Sequence, residues 1–185
     1  MRIIAGKYRG LQLVSFSSDQ IRPTTDRMKE TLFNILMNQT GDSRVVDLFA
    51  GTGNLGLEAL SREAAHVTFV EKNSKSLQVI RENLKKLKVP NESFEIKAMD
   101  VFSFLKAYEG PGFNLVFADP PFTEKLTAKV LKEVSESPIL AEGGIFVLES
   151  AKKDQPAETC GDLLRYDTRD FGDKVLSFFA KKSDK

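Results

Sequence analysis

A chain of 185 residues with 41% hydrophobic and 29% charged residues has the size and makeup of one globular domain with a full core. Its net charge of +1 gives no general attraction to nucleic acid, and a single cysteine (Cys160) and a single histidine (His66) exclude an internal disulfide, a cysteine zinc site and a multi-histidine metal site. No apolar run reaches membrane-spanning length and the N-terminus has no signal-peptide pattern, so the expected setting is a reducing cytoplasm, with no membrane or metal partner.

The charge distribution says more than its sum. From Met1 to Glu30 there are six cations against three carboxylates, a locally basic N-terminus. Arg2–Gly6 and Leu11–Val14 read as two strands of a hairpin, with the glycine-bounded turn Gly6–Gly10 between them. Lys7, Tyr8 and Arg9 then sit at its tip, two cations flanking an aromatic, a composition suited to phosphate contact and base stacking. Residues 1–22 form this extension, and 23–185 form the main domain. Thr24 or Thr25 can N-cap a helix in which Met28, Leu32, Ile35 and Leu36 share a face. Pro23 keeps Arg22 extended, so that helix cannot start earlier.

Regular β/α alternation follows. The strands are predicted over Val45–Phe49, Val67–Glu71, Phe94–Lys97, Phe113–Ala118 and Ile145–Glu149. The helices are predicted over Asn54–Arg62, Ser74–Leu87, Phe102–Tyr108 and Glu124–Glu136. Such alternation implies a mostly parallel sheet with helices on both faces. Leu163–Arg169 and Val175–Ala180, joined by Asp170-Phe171-Gly172-Asp173, add an antiparallel hairpin. The fold class is therefore α/β: a Rossmann-like, seven-stranded sheet of the class I methyltransferase outline, preceded by a small β-hairpin.

Chemistry concentrates where strands end, because open α/β sheets bind ligands beyond their carboxyl edge. Asp47-Leu48-Phe49-Ala50-Gly51-Thr52-Gly53 is a strand running into a glycine turn and then an amphipathic helix over Leu55–Leu60. Glycines permit positive φ and close ligand approach, and the helix start offers free N–H groups. Asp47, Phe49, Ala50, Gly51, Thr52 and Gly53 are thus candidate cofactor contacts. Glu71 ends the second strand, where an acid can accept from a ribose diol, and Asp100 follows the third, where it can accept from an adenine amine. Asp119-Pro120-Pro121-Phe122 follows the fourth. Its prolines stiffen a row of acceptors, the Asp119 carboxylate and the Pro120 carbonyl, ahead of an aromatic face. Two fixed acceptors orient an exocyclic nucleobase amine for attack on an electrophilic methyl, and Phe122 stacks the extruded base. His66, just before the second strand, is expected to make an ordinary hydrogen bond, and Cys160 to be a bystander thiol.

The residues carry a family resemblance over nearly the whole chain. Arg2-Ile3-Ile4-Ala5-Gly6-x-x-Arg9-Gly10, Arg22-Pro23-Thr24-Thr25-Asp26-Arg27-x-Lys29-Glu30, Asp47–Arg62 and Asp119–Phe122 together resemble the bacterial guanine-N2 methyltransferases of 16S ribosomal RNA, guanine 966 type. The resemblance implies S-adenosylmethionine as methyl donor and, as RNA partner, the 16S rRNA of a small ribosomal subunit or its assembly intermediate. Arg22 and Thr24 fall in a block that looks like the segment closing over the methionine end of the cofactor; no metal is implied, and a monomer is expected. Lys7, Tyr8, Arg9 and Arg27 become the candidate RNA contacts. The physics of the residues leaves an adenine-N6 methyltransferase open, because both amines are planar NH₂ groups. A nicotinamide-dependent oxidoreductase shares Gly51-x-Gly53-x-x-Gly56 but leaves Asp119–Phe122 unexplained, and a non-catalytic RNA-binding module leaves four strand-end acids unexplained.

Overall fold

The computed structural model describes residues 1–15, 26–121 and 126–182; Arg22, Thr24, Thr25 and Phe122 lie outside these. Short apolar runs form β1 (Arg44–Leu48), β2 (His66–Glu71), β3 (Phe94–Ala98), β4 (Phe113–Ala118) and β5 (Leu140–Ala151). The chain ends in β6 (Thr159–Cys160), β7 (Leu163–Phe171) and β8 (Lys174–Lys181). The helices are α1 (Asp26–Ile35), α2 (Met37–Thr40), α3 (Asn54–Ser61), α4 (Ser74–Lys86), α5 (Val101–Ala107) and α6 (Leu126–Ser135). One sheet takes all eight strands in the order β3-β2-β1-β4-β5-β8-β7-β6. The first five are parallel and the last three join antiparallel. The seven expected strands are present, and the two-residue β6 extends the edge as an eighth. β7 and β8 turn on Gly172-Asp173, where Gly172 takes φ +66°. That loop is shorter than the four-residue connection the sequence suggested.

Pleat alternation divides the core between the two faces of the sheet. Val45, Leu115, Phe117, Ile145 and Val147 pack with α1, α3 and α4 on one face. Val46, Leu48, Val116, Phe146 and Leu148 pack with α5 and α6 on the other. The inner parallel strands, covered on both faces, read as mainly apolar runs, whereas the edge strand β3 (Phe94-Glu95-Ile96-Lys97-Ala98) alternates.

α3 departs from expectation. Its sequence suggested one apolar and one polar face, yet every residue from Asn54 to Ser61 is buried. The N-terminal segment covers the side turned away from the sheet. Gly56 sits so close to β2 that a Cβ there would stand 2.3 Å from the Phe69 ring. Glycine is therefore what lets this helix lie down on the sheet.

The polar residues under that cover form one network. Glu58, fully buried, accepts the N–H groups of Ile4 at 2.8 Å and Ala5 at 3.0 Å. It also meets Arg62 at 2.9 Å and Lys29 at 3.2 Å. Lys29, itself fully buried, donates to the Arg2 carbonyl and to Asn54. This network explains a second difference. The N-terminal hairpin is a short ladder with one bridge, Arg2 to Gln12, in which Ile3 donates to Leu11, Gly10 to Ile3 and Leu13 to Met1, while Ile4 and Ala5 turn their N–H groups to Glu58. Removing one partner of a buried ion pair strands the other in a dry site. Lys29→Ala is therefore expected to cost about 3–5 kcal/mol of stability, read from the midpoint of urea unfolding.

Candidate active site

β1 and β4 lie side by side in the middle of the sheet although two strands, β2 and β3, come between them in sequence. A crevice at the carboxyl edge forms where the order reverses in this way. The glycine turn occupies that position. The Gly53 N–H bonds the Ala50 carbonyl at 2.7 Å, Gly53 takes φ +80°, and α3 begins at the next residue. Phe49, just after β1, also takes a positive φ of +59°, an uncommon state for a bulky residue and a mark of strain at this edge.

The strand-end acids hold this turn in place. Asp47, fully buried, accepts the Gly56 N–H at 2.9 Å beneath the first turn of α3. Burial pushes its carboxyl up to about 7 despite that bond, with the Glu71 charge adding to the rise. Glu71 reaches across from β2: Oε2 accepts the Gly51 N–H at 2.9 Å, and Oε1 accepts from Lys72 and Asn73. Oε1 has both acceptor positions filled, and one remains on Oε2 toward the edge. Asp100 caps α5 by accepting from Phe102 and Ser103 and meets Lys72 at 3.3 Å. It is partly exposed, so its outer oxygen still faces solvent.

Asp119 stands one residue past β4 and is half-buried, and Pro120 behind it is buried. Burial raises the Asp119 carboxyl well above its ordinary value, and the Glu149 carboxyl beside it adds to the rise; the Lys174 cation pulls the other way. Glu149, near the end of β5, is a functional candidate the sequence reading missed. Ala118 pairs with Leu148, so the next residues, Asp119 and Glu149, are neighbours. The signal was there in kind, since Glu149 closes an apolar run just as Asp119 does.

Asp47, Asp119, Glu149 and Lys174 fall on the same face as Val45, Phe117, Val147 and Leu176, on four adjacent strands. The glycine turn, Glu71, Asp100 and the acid row share this carboxyl edge, which sets carboxyl acceptors beside the backbone N–H groups of the turn. That donor and acceptor set fits a nucleoside carrying a cationic centre, with Glu71 toward hydroxyls and the carboxyl row toward the charge. Lys7, Tyr8 and Arg9 are elsewhere. The Lys7 N–H donates to the Ser61 carbonyl and the Tyr8 N–H to the Ser61 hydroxyl, at the far end of α3. The eight-residue α3 puts the tip about 12 Å from the glycine turn. Lys7 and Arg9 are exposed; Tyr8 is half-buried, with the Lys7 ammonium 4.9 Å from its ring centre. Arg27 is exposed on the first turn of α1.

Two cavities lie away from this edge. One of about 410 Å³ is lined by Gly6, Phe33, Met37 and Arg62, and one of about 350 Å³ by Arg44, His66, Tyr108 and Phe113 near the amino ends of the strands. Neither touches the glycine turn or a strand-end acid. His66 opens β2 rather than preceding it, and its Nδ1 is buried with no hydrogen-bond partner among the described residues, against the ordinary bond expected. Cys160 lies 3.3 Å from the Ser135 hydroxyl. No group of three metal-ligating side chains occurs among the described residues.

A family described as conserved hypothetical protein 95 matches residues 1–180. The chain is 41% identical over 160 residues to the Haemophilus influenzae protein named ribosomal RNA small subunit methyltransferase D, covering 86% of this chain and 82% of that one. It is 41% identical over 150 residues to the Escherichia coli K12 protein of the same name, covering 81% and 74%. A solved Escherichia coli structure described as "Putative methyltransferase yhhF" superposes with a TM-score of 0.87 at 33% identity, covering 100% of this chain and 99% of that one.

The raised Asp47 carboxyl sets a pH dependence. In the unfolded chain an aspartate ionises near 3.9, whereas the folded group holds its proton to about 7. The folded state binds more protons across that window, so stability falls as pH rises from about 4 to about 7. Asp47→Asn, which keeps an acceptor for Gly56, is expected to remove its share of that slope in thermal melts of the cofactor-free protein.

Proposed function

Because the chain belongs to the conserved hypothetical protein 95 family, together with the ribosomal RNA small subunit methyltransferases D, we propose that it methylates the exocyclic N2 amine of guanine 966 in 16S ribosomal RNA. The methyl donor in this reading is S-adenosylmethionine, which supplies an electrophilic methyl on a sulfonium. The observation that carries the reading is the shared edge: Asp119 and buried Pro120 stand past β4, in the carboxyl row that begins with Asp47 beneath the glycine turn. An amine held there faces a donor held by the turn.

Each residue has a part in this reading. Phe49, Ala50, Gly51, Thr52 and Gly53 line the nucleoside, Glu71 takes a ribose hydroxyl and Asp100 the adenine amine. Asp47 supports the turn from below. Asp119 and the Pro120 carbonyl orient the attacking amine, and Phe122 stacks the base. The amine that Asp119 and the Pro120 carbonyl hold would take the methyl from the sulfonium and release its surplus proton to water. Arg22 and Thr24 close over the amino-acid end of the donor. Lys7, Tyr8, Arg9 and Arg27 meet RNA outside the chemical site, and the enzyme acts as a monomer on a small subunit or its precursor.

The deciding experiment incubates the protein with labelled S-adenosylmethionine and unmodified 30S particles and maps the product nucleotide. Label on N2 of that guanine is expected; label on an adenine N6 would replace the reading with its nearest rival. Asp119→Ala should cut single-turnover methylation by about 10²-fold while S-adenosylhomocysteine affinity holds, since the contact acts mainly in the transition state. Removing both cations of the turn (Lys7→Ala with Arg9→Ala) should weaken RNA binding and flatten its salt dependence, with cofactor affinity unchanged. Loss of cofactor affinity instead would give that turn another task.

A further inference from the structure

Glu149 is only 2% exposed, and its two oxygens are treated differently. Oε1 is paired with the Lys174 ammonium across the β5–β8 ladder. Oε2 is buried and has no hydrogen-bond partner among the described residues. A buried carboxylate oxygen without a donor is costly and uncommon. The carboxyl beside Glu149 is that of Asp119, its register neighbour on β4. Two ionised carboxylates cannot bond to each other. One proton between them converts the orphan oxygen into an acceptor and Asp119 into its donor.

We propose that Glu149, anchored by Lys174, is a positioning residue for Asp119: its Oε2 accepts the proton of an acid-form Asp119, whose outer oxygen then stands as a fixed, neutral acceptor for the substrate amine. The role rests on the reading of Asp119 as the group that orients the amine. The ionisable side chains facing Asp119 among the described residues are Glu149 from β5, Lys174 from β8 and Asp47 from β1. Glu149 and Asp47 favour a proton on Asp119, and Lys174 alone opposes it. The pull of Lys174 is smaller than the push of the Glu149 charge and larger than that of Asp47, and its ammonium is also paired with Glu149 Oε1.

Carboxyl-carbon NMR titration of aspartate-labelled protein without cofactor tests the shared proton, with the Asp119 signal identified by its loss in Asp119→Asn. In the wild type that signal should titrate above the ordinary carboxylate range. Glu149→Gln, which turns a donor toward Asp119, should bring the midpoint down. A wild-type signal that titrates with ordinary carboxylates, or a midpoint unmoved by Glu149→Gln, overturns the proposal. Single-turnover methylation supplies the second arm. Asp119→Asn carries an amide that donates to Glu149 and accepts from the amine, so its rate should stay within about tenfold of wild type and lose its pH dependence. Asp119→Asn falling as far as Asp119→Ala would show that charge is required and would also overturn the proposal. A raised Asp119 titration combined with a fully active Asp119→Ala would instead overturn the reading of Asp119, and with it any role for Glu149 in the reaction.

Discussion

Neighbouring strands of a sheet stand about 4.8 Å apart, and their side chains alternate between its faces. When adjacent strands each end in an ionisable residue of the same parity, those residues must confront one another. That happens at the carboxyl edge here. Asp47, Asp119 and Glu149 come from three parallel strands, and Lys174 enters from the antiparallel strand that follows. Three carboxyl groups and one cation cannot all be ionised in a dry setting at low cost. The site answers with protons and N–H donors: Gly56 on Asp47, Lys174 on Glu149, and a proton on Asp119. The geometry of the glycine turn and the chemistry of the acid row are therefore one problem with one solution.

The turn itself is held from two sides. Asp47 fixes the first turn of α3 from below, and Glu71 fixes Gly51 from the neighbouring strand. Glu71 already carries three backbone hydrogen bonds, so its free acceptor position is fixed before any ligand arrives. Preorganisation of this kind lowers the ordering cost of binding.

The N-terminal segment extends the same logic to the far side of α3. Glu58 draws Ile4, Ala5, Lys29 and Arg62 onto one carboxylate, which ties the basic turn and α1 to the helix that starts at the glycine loop. Ile3 and Leu13 join the core on this side, so the segment is bound by packing as well as by charge. The basic tip is thus a rigid feature displaced by one short helix from the chemical edge. That displacement suits a substrate far larger than a single nucleotide.

By itself the sequence determined the β/α alternation, the parallel sheet with its terminal hairpin, the glycine turn and the acids at the strand ends. Each of these is a local pattern: apolar runs of strand length, glycines after β1, and prolines stiffening the segment after Asp119. Tertiary structure decided how those pieces face one another. Glu149 and Lys174 are 25 residues apart, and nothing local says that the antiparallel return of β8 brings the lysine to the β5 carboxylate. Only the sheet order places Asp119 beside Glu149. Glu58 is buried because the N-terminal segment lies over it, which also buries the polar face that an amphipathic α3 was expected to expose. Partners set by strand register and layer packing arise between residues distant in the chain, and local sequence records their types without recording their contacts.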